Sequence, residues 1–265
     1  MTKSKLELTA EEILAAIAHE EFVLYYQPQF NLINSKLDAL EALIRWQHPQ
    51  WGLLQPGSFL PAVQELGLMA AIDGWVLHAA CKQNRIWHDL GCTDLRIAVN
   101  VSPQLLLASD FIEQVEKALK IHQLKPEMLE IELTENILLH EDKNIAVVHQ
   151  LKKLGVSIAL DDFGTGYSSI AYLKKIQVDR IKIDKTFIDA IHHDQSDAII
   201  VRAIIALAVG LNVQVLAEGV ESLRQLQLLL DMECKEAQGF YFSEPLKQTE
   251  IEAVLIDYFE VNKPL

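Results

Sequence analysis

Five carboxylates stand at or near the ends of short runs rich in apolar residues: Glu41, Glu132, Asp161, Asp162 and Glu218. Asn100 ends a further run of the same kind, and Lys182 lies near the end of another. Carboxylates brought close together repel one another and take up protons unless cations offset them. Five acids against one lysine leave about four negative charges, which two divalent ions would neutralise. An all-oxygen donor set suits Mg²⁺ or Mn²⁺ better than zinc. Two such ions can clamp a phosphoryl group and lower the pKa of a water between them. The residues therefore read as a site for metal-assisted hydrolysis, with phosphate esters favoured.

The elements that carry these residues alternate. Strand-like runs fall at 22–30, 38–46, 95–101, 128–133, 156–161, 180–184, 213–218 and around 239–242, with helical patterns between them. The clearest helix covers 72–90, with Ile72, Trp75, Val76, Ala79, Ala80, Ile86, Trp87 and Leu90 on one stripe. Gly91, Gly155 and Gly210 are placed to end helices just before strands. Thr9 followed by Glu12 forms a capping box for the first helix. Eight alternating units predict an α/β fold, a TIM-like (βα)8 barrel, with an open doubly wound sheet as the runner-up. Only about seven residues separate the first two strands, too few for a parallel crossover, so they are expected to form an antiparallel hairpin. In such a barrel the functional side chains gather at the carboxyl ends of the strands. Strand alternation puts Glu41, Leu43 and Arg45 on one face and Leu40, Ala42, Ile44 and Trp46 on the other. With the apolar face under the helices, Glu41 and Arg45 point inward. The same parity groups Asn100 with Ala98, Asp161 with Ala159, and Glu218 with Leu216.

Composition narrows the classes. The 265 residues suit one domain, and half of them are hydrophobic, enough for a sizeable core. No run reaches the ~18 apolar residues of a membrane helix. The opening MTKSKLELTA has no apolar core of a signal peptide. Three scattered cysteines without a CxxC pair favour a reducing compartment, and the expected location is cytoplasmic. A formal charge of −14 speaks against a nucleic-acid polymer as partner.

The same residues sit in motifs. The run from Glu41 to Trp46, EALIRW, resembles the signature of EAL-domain cyclic di-GMP phosphodiesterases. Tyr26-Gln27-Pro28, Asn100-Val101-Ser102, Glu132-Leu133-Thr134-Glu135, the DDFGTGYSS of 161–169, Lys182-Ile183-Asp184, the AEGVE of 217–221 and Gln238-Gly239 resemble the family's other motifs, in order, over about residues 20–250. The resemblance implies that residues 1–265 form one EAL-type barrel. It implies that Glu41, Asn100, Glu132 and Asp161 hold one metal ion, and Asp161 and Asp162 a second, with Glu218 nearby. Glu218 would be the general base, and Lys182 would orient the attacking water. Gln27, Leu43, Arg45, Asp184, Glu221 and Gln238 would face the substrate, and Glu135 would anchor the 161–169 loop. Mg²⁺ or Mn²⁺ would support turnover of cyclic di-GMP to linear pGpG, and Ca²⁺ would inhibit it. The resemblance further implies a homodimer through that loop and the helix after it, where Tyr167, Ile170 and Tyr172 lie. One departure is Gln64, which stands where the family carries an acid after its FIP motif. A module that binds cyclic di-GMP without turnover, and a different metal-dependent barrel enzyme such as a sugar-phosphate aldolase, are the alternatives; the intact acidic set favours the hydrolase.

Overall fold

The structure, a computed structural model, describes residues 7–135, 142–166, 173 and 175–261. Tyr167, Ile170 and Tyr172 lie outside the described residues. Thr9 and Glu12 cap α1 (Ala10–Ala18) reciprocally: the Thr9 amide donates to Glu12 Oε2 at 2.8 Å and the Glu12 amide to Thr9 Oγ1 at 3.2 Å. The helix packs Ile13 and Ala16 into the core.

Strands β1 (Phe22–Asn31) and β2 (Lys36–His48) form the expected antiparallel hairpin. Asn31 Oδ1 accepts from the Ile33 amide at 3.0 Å and Asn34 Oδ1 from the Lys36 amide at 2.9 Å, so two Asn side chains shape the turn. A short β3 (Gly52–Leu54) folds back on β2, and α2 (Pro56–Glu65) and α3 (Met69–Asp89) follow. Next come β4 (Arg96–Asn100), α4 (Pro103–Leu106), α5 (Phe111–His122), β5 (Leu129–Thr134), α6 (Asp142–Leu154), β6 (Ser157–Phe163) and β7 (Arg180–Ile183). The chain ends with α7 (Lys185–Ala190), α8 (Gln195–Leu211), β8 (Gln214–Ala217), α9 (Leu223–Asp231), β9 (Glu236–Ala237), β10 (Leu246–Lys247) and α10 (Gln248–Val261). Pairing runs β1-β9-β8-β7-β6-β5-β4-β2 and returns to β1, a closed eight-stranded barrel. Every pair in the ring is parallel except those of β1 with β2 and β9. Among the described residues no helix is long and apolar enough to cross a membrane.

Three local expectations are corrected. The eighth barrel strand is β9 at Glu236–Ala237, and 240–242 form a turn after it. Its signal was weak because two residues suffice to pair with both β1 and β8. Gly210 lies inside α8; the left-handed cap is Asn212, with φ of 57°. On α3, Ile86 and Leu90 face solvent, while Asn84 is buried. The Asn84 amide spans two strand ends, donating to the Leu95 carbonyl at 3.1 Å and the Met128 carbonyl at 3.4 Å.

The barrel interior is polar. Ile131, Leu133, Ile181 and Ile183 pack outward under the helices, while the alternate residues Glu130, Glu132, Arg180 and Lys182 are buried inside. Contacts across the barrel fix that assignment: Arg180 on β7 reaches Gln29 on β1 at 2.9 Å and Glu130 on β5 at 2.7 Å.

The close of the ring is tight at Gly239. A Cβ there would meet the Val220 carbonyl oxygen at 2.2 Å and the Val220 nitrogen at 2.3 Å. Gly239→Ala is therefore expected to destabilise the fold by at least the ~1–3 kcal/mol of overpacking. Gly57→Ala, in α2 with nothing within 4 Å, should change stability by no more than about 1 kcal/mol, in the favourable direction. Chemical denaturation of both variants checks this.

Candidate functional site

At the carboxyl end of the parallel strands, side chains from four other strand ends converge on Lys182. Its Nζ lies 2.7 Å from Glu132 Oε2, 2.9 Å from Glu218 Oε1, 3.2 Å from Asp161 Oδ1 and 3.7 Å from Glu41 Oε2. Lys182 is fully buried. Burial alone would lower its pKa, but Asp161, Glu132, Glu218 and Glu41 outweigh that and hold it well above the usual lysine range.

Glu41 is gripped by neutral donors. Asn100 Nδ2 donates to Oε1 at 2.8 Å and Gln238 Nε2 to Oε2 at 2.6 Å. Burial pushes this carboxyl up, yet Lys182, Gln238 and Asn100 together hold it below the ordinary carboxylate value. Gln27 is held in the same cluster, accepting from Gln238 Nε2 at 2.9 Å.

Alternation alone cannot put both Asp161 and Asp162 at the mouth, because neighbours on a strand face opposite ways. The register between β6 and β7 slips between Leu160 and Phe163, so two residues of β6 oppose one of β7. Asp162 takes the left-handed conformation at φ 54°, which Asp tolerates better than most side chains. This bulge brings carboxylate oxygens of Asp161, Asp162 and Glu218 within 4.8 Å of one another. Glu218 follows β8 directly, and its amide extends the ladder to the Ile183 carbonyl at 3.1 Å.

The charge balance is unmet. Burial, followed by repulsion from Glu41, lifts Glu132 well above the usual range, and its Oε1 is buried without a hydrogen-bond partner. Burial lifts Glu218 to about 8; Lys182 pulls against this, and Asp161 and Glu41 add to it. Burial, then Asp161 and Asp184, lift Asp162 to about 6. A partnerless buried carboxylate oxygen beside three crowded acids fits divalent cations with oxygen ligands.

The remaining sequence-predicted residues are nearby in different settings. Glu135 Oε2 accepts from the Gly164 amide at 3.0 Å, tying β5 to the turn after β6. Asp184 caps α7 through the Thr186 amide at 2.9 Å. Glu221 pairs with Lys185 on the exposed rim. Arg45 donates to the Ile44 carbonyl at 2.8 Å, lies 5.3 Å from the Tyr25 ring centroid, and keeps a buried Nε without a partner. Leu43 and Asn100 line an adjoining cavity of about 300 Å³ with Leu60, Met69 and Asp73. Gln64 is exposed on α2.

Sequence reasoning missed Asp73, whose carboxylate accepts from the Ser102 amide at 2.9 Å and which burial pushes up to about 6. It also missed a second polar tier under the site, of Gln29, Glu130, Arg180 and Glu236. The signal was present. Gln29, Glu130 and Arg180 each stand two positions from a residue assigned to the site, Gln27, Glu132 and Lys182, which puts them on the same strand face.

A model of the EAL domain family matches residues 10–245. The chain is similar to the bifunctional diguanylate cyclase/cyclic di-GMP phosphodiesterase MucR of Pseudomonas aeruginosa, 42% identical over 236 residues, which cover 89% of this chain and 34% of that protein. It is 40% identical over 257 residues to the cyclic di-GMP phosphodiesterase NbdA of the same organism, covering 96% of this chain and 33% of that protein. The chain thus spans about a third of the length of these curated relatives. Among solved structures, the PaMucR phosphodiesterase in complex with c-di-GMP aligns with a TM-score of 0.88 at 40% identity, over 91% of this chain and 98% of that one.

The raised carboxyls set a pH dependence. A group whose folded pKa is raised stabilises the fold while protonated and loses that contribution as pH rises through the folded value. In EDTA, melting is expected to fall as pH rises through about 6 for Asp162 and about 8 for Glu218. Mg²⁺ or Mn²⁺ should raise the midpoint and flatten the slope. Melting curves with and without the ion check both; a midpoint that rises with pH in EDTA contradicts the charge balance described.

Proposed function

The chain belongs to the EAL domain family, and on that premise we propose that its barrel mouth hydrolyses cyclic di-GMP to the linear dinucleotide pGpG. The observation that carries the reading is the convergence of Glu41, Asn100, Glu132, Asp161, Asp162 and Glu218 around Lys182. A metal-binding role for these side chains gives their unmet charge a purpose. Glu41, Asn100, Glu132 and Asp161 would hold one Mg²⁺ or Mn²⁺, and Asp161 and Asp162 a second, with Glu218 beside it. Bound there, the ions supply positive charge to a phosphoryl oxygen and acidify a water.

The chain's own residues do the rest. Glu218 would accept the proton of the attacking water at a carboxylate oxygen. Lys182 keeps that carboxylate oriented from 2.9 Å and offsets charge that builds on the phosphate. Arg45 offers its partnerless Nε to a phosphate oxygen, where a charge-assisted hydrogen bond is strong. The cavity beside Leu43 gives a largely apolar slot for a base. Gln27, Gln238, Asp184 and Glu221 complete the substrate side of the mouth, and Glu135 steadies the turn at Gly164. Self-association through the loop of 161–169 belongs to the same proposal, and sedimentation at high micromolar concentration tests it. The three described cysteines are free and buried, in keeping with a cytoplasmic setting.

The assay is pGpG formation with Mg²⁺, Mn²⁺, Ca²⁺ or EDTA. Turnover is expected with the first two ions. Ca²⁺ should inhibit, since its looser coordination misplaces the reacting groups. Glu218→Gln should lower turnover by about 10²–10⁴-fold while cyclic di-GMP binding survives. An unchanged rate removes Glu218 as base. A rate rescued by high Mg²⁺ makes Glu218 mainly a ligand. Asp161→Asn should weaken metal binding more than Asp162→Asn, as calorimetry would show.

A further inference from the structure

Beneath the acidic mouth runs a line of hydrogen bonds with a single possible direction. Arg180 Nη1 donates to Gln29 Oε1 at 2.9 Å and to Glu130 Oε1 at 2.7 Å. Gln29 Nε2 donates to Gln238 Oε1 at 2.9 Å. Gln238 Nε2 donates to Glu41 Oε2 at 2.6 Å and to Gln27 Oε1 at 2.9 Å. All of these side chains are buried.

A glutamine amide has a donor end and an acceptor end of nearly equal size, so its direction must be set by its partners. Arginine has donors only and stays charged in proteins. Arg180 is itself held, with Glu130 on one side and Nε 3.0 Å from Glu236 Oε2 on the other. Gln29 must therefore turn its oxygen to Arg180 and its nitrogen to Gln238. Gln238 must then turn its oxygen to Gln29 and its nitrogen to Glu41. At the far end Glu41, an ionised carboxylate, can only accept. Reversing any link would set two acceptors face to face in a buried place.

From this line we infer that Gln29 is a positioning residue for the mouth: it fixes the amide of Gln238, and through it the orientation of the Glu41 carboxylate toward a divalent cation. The inference rests on the reading of Glu41 as a metal ligand. Partners that orient a ligand in this way are commonly worth about 10–100-fold in metal affinity or activity.

Two substitutions test it. Gln29→Glu keeps the shape and the contact with Arg180, but the new carboxylate cannot donate to Gln238. With acceptors then on both sides, the Gln238 amide can no longer accept at position 29 and donate to Glu41 at once, so its hold on Glu41 is weakened. Gln29→Met keeps much of the volume and removes both polar ends. Each is compared with the parent protein for Mn²⁺ affinity by calorimetry, for melting, and for pGpG formation. Both variants should bind Mn²⁺ about 10–100-fold more weakly. In a Gln238→Ala background neither substitution should weaken Mn²⁺ further, because the link they act through is gone. Mn²⁺ affinity within twofold of the parent in a folded variant overturns the inference. So do losses that simply add in the double variants, which a general packing defect would give. If Gln29→Glu does not fold, Gln29→Met carries the same comparison. If the parent binds Mn²⁺ but makes no pGpG, the proposed reaction fails, and Gln29 is judged on metal affinity alone.

Discussion

Lys182 buried among carboxylates is the interaction on which the arrangement depends. A lone ammonium in that position would cost several kcal/mol in desolvation. Glu132 accepts a hydrogen bond from it at 2.7 Å, and Glu218 and Asp161 form ion pairs with it at 2.9 and 3.2 Å. These contacts form only if β5, β6, β7 and β8 end at the same height, and the parallel register provides that: Glu132 pairs with Ala159, and Lys182 with Leu216. The lysine thus ties four strand ends together. It cannot neutralise all the acids that do so, and the excess is the charge that the proposed metal ions would offset.

The tier below differs in balance. Arg180 and Arg96 face Glu130 and Glu236, with Arg96 Nη1 3.7 Å from Glu130 Oε2 and Asp38 acting on both arginines. Arginine-based pairing makes this a more nearly balanced floor. Arginine does not release its proton, and its planar fork holds several acceptors at set angles. The mouth above carries one lysine for five acids, so an excess of negative charge remains there. Putting the arginine tier under the mouth lets the Glu41 carboxylate be oriented through Gln238 and Gln29 from a cation that keeps its proton.

Much of this was legible in the sequence. The hairpin followed from a connection too short for a crossover, and the inward face of β2 from the alternation of Glu41, Leu43 and Arg45 against Leu40, Ala42 and Ile44. The crowding of acids at strand ends followed from their positions alone. The bulge at Asp161–Asp162 was not legible, because it is decided by how β6 pairs with β7 and not by local preference. The floor tier was passed over for another reason. A barrel interior is normally filled by branched apolar side chains, and that prior hid the parity of Gln29, Glu130 and Arg180. Strand β9 was misplaced because two residues give no periodicity to detect.

Glu41 shows how the two tiers divide their work. It lies 3.7 Å from Lys182, farther out than Glu132, Glu218 and Asp161. Its hydrogen bonds come instead from the amides of Asn100 and Gln238. An amide donor satisfies a carboxylate oxygen and favours its ionised form, yet brings no positive charge of its own. The result is a buried carboxylate that is charged, well oriented and only partly neutralised by Lys182. A lysine or arginine in place of either amide would bind Glu41 more strongly and would compete with a metal ion for the same oxygens. Neutral donors at this position hold the geometry while leaving the charge for a cation, and the direction of the Gln238 amide is set from the floor by Gln29 and Arg180.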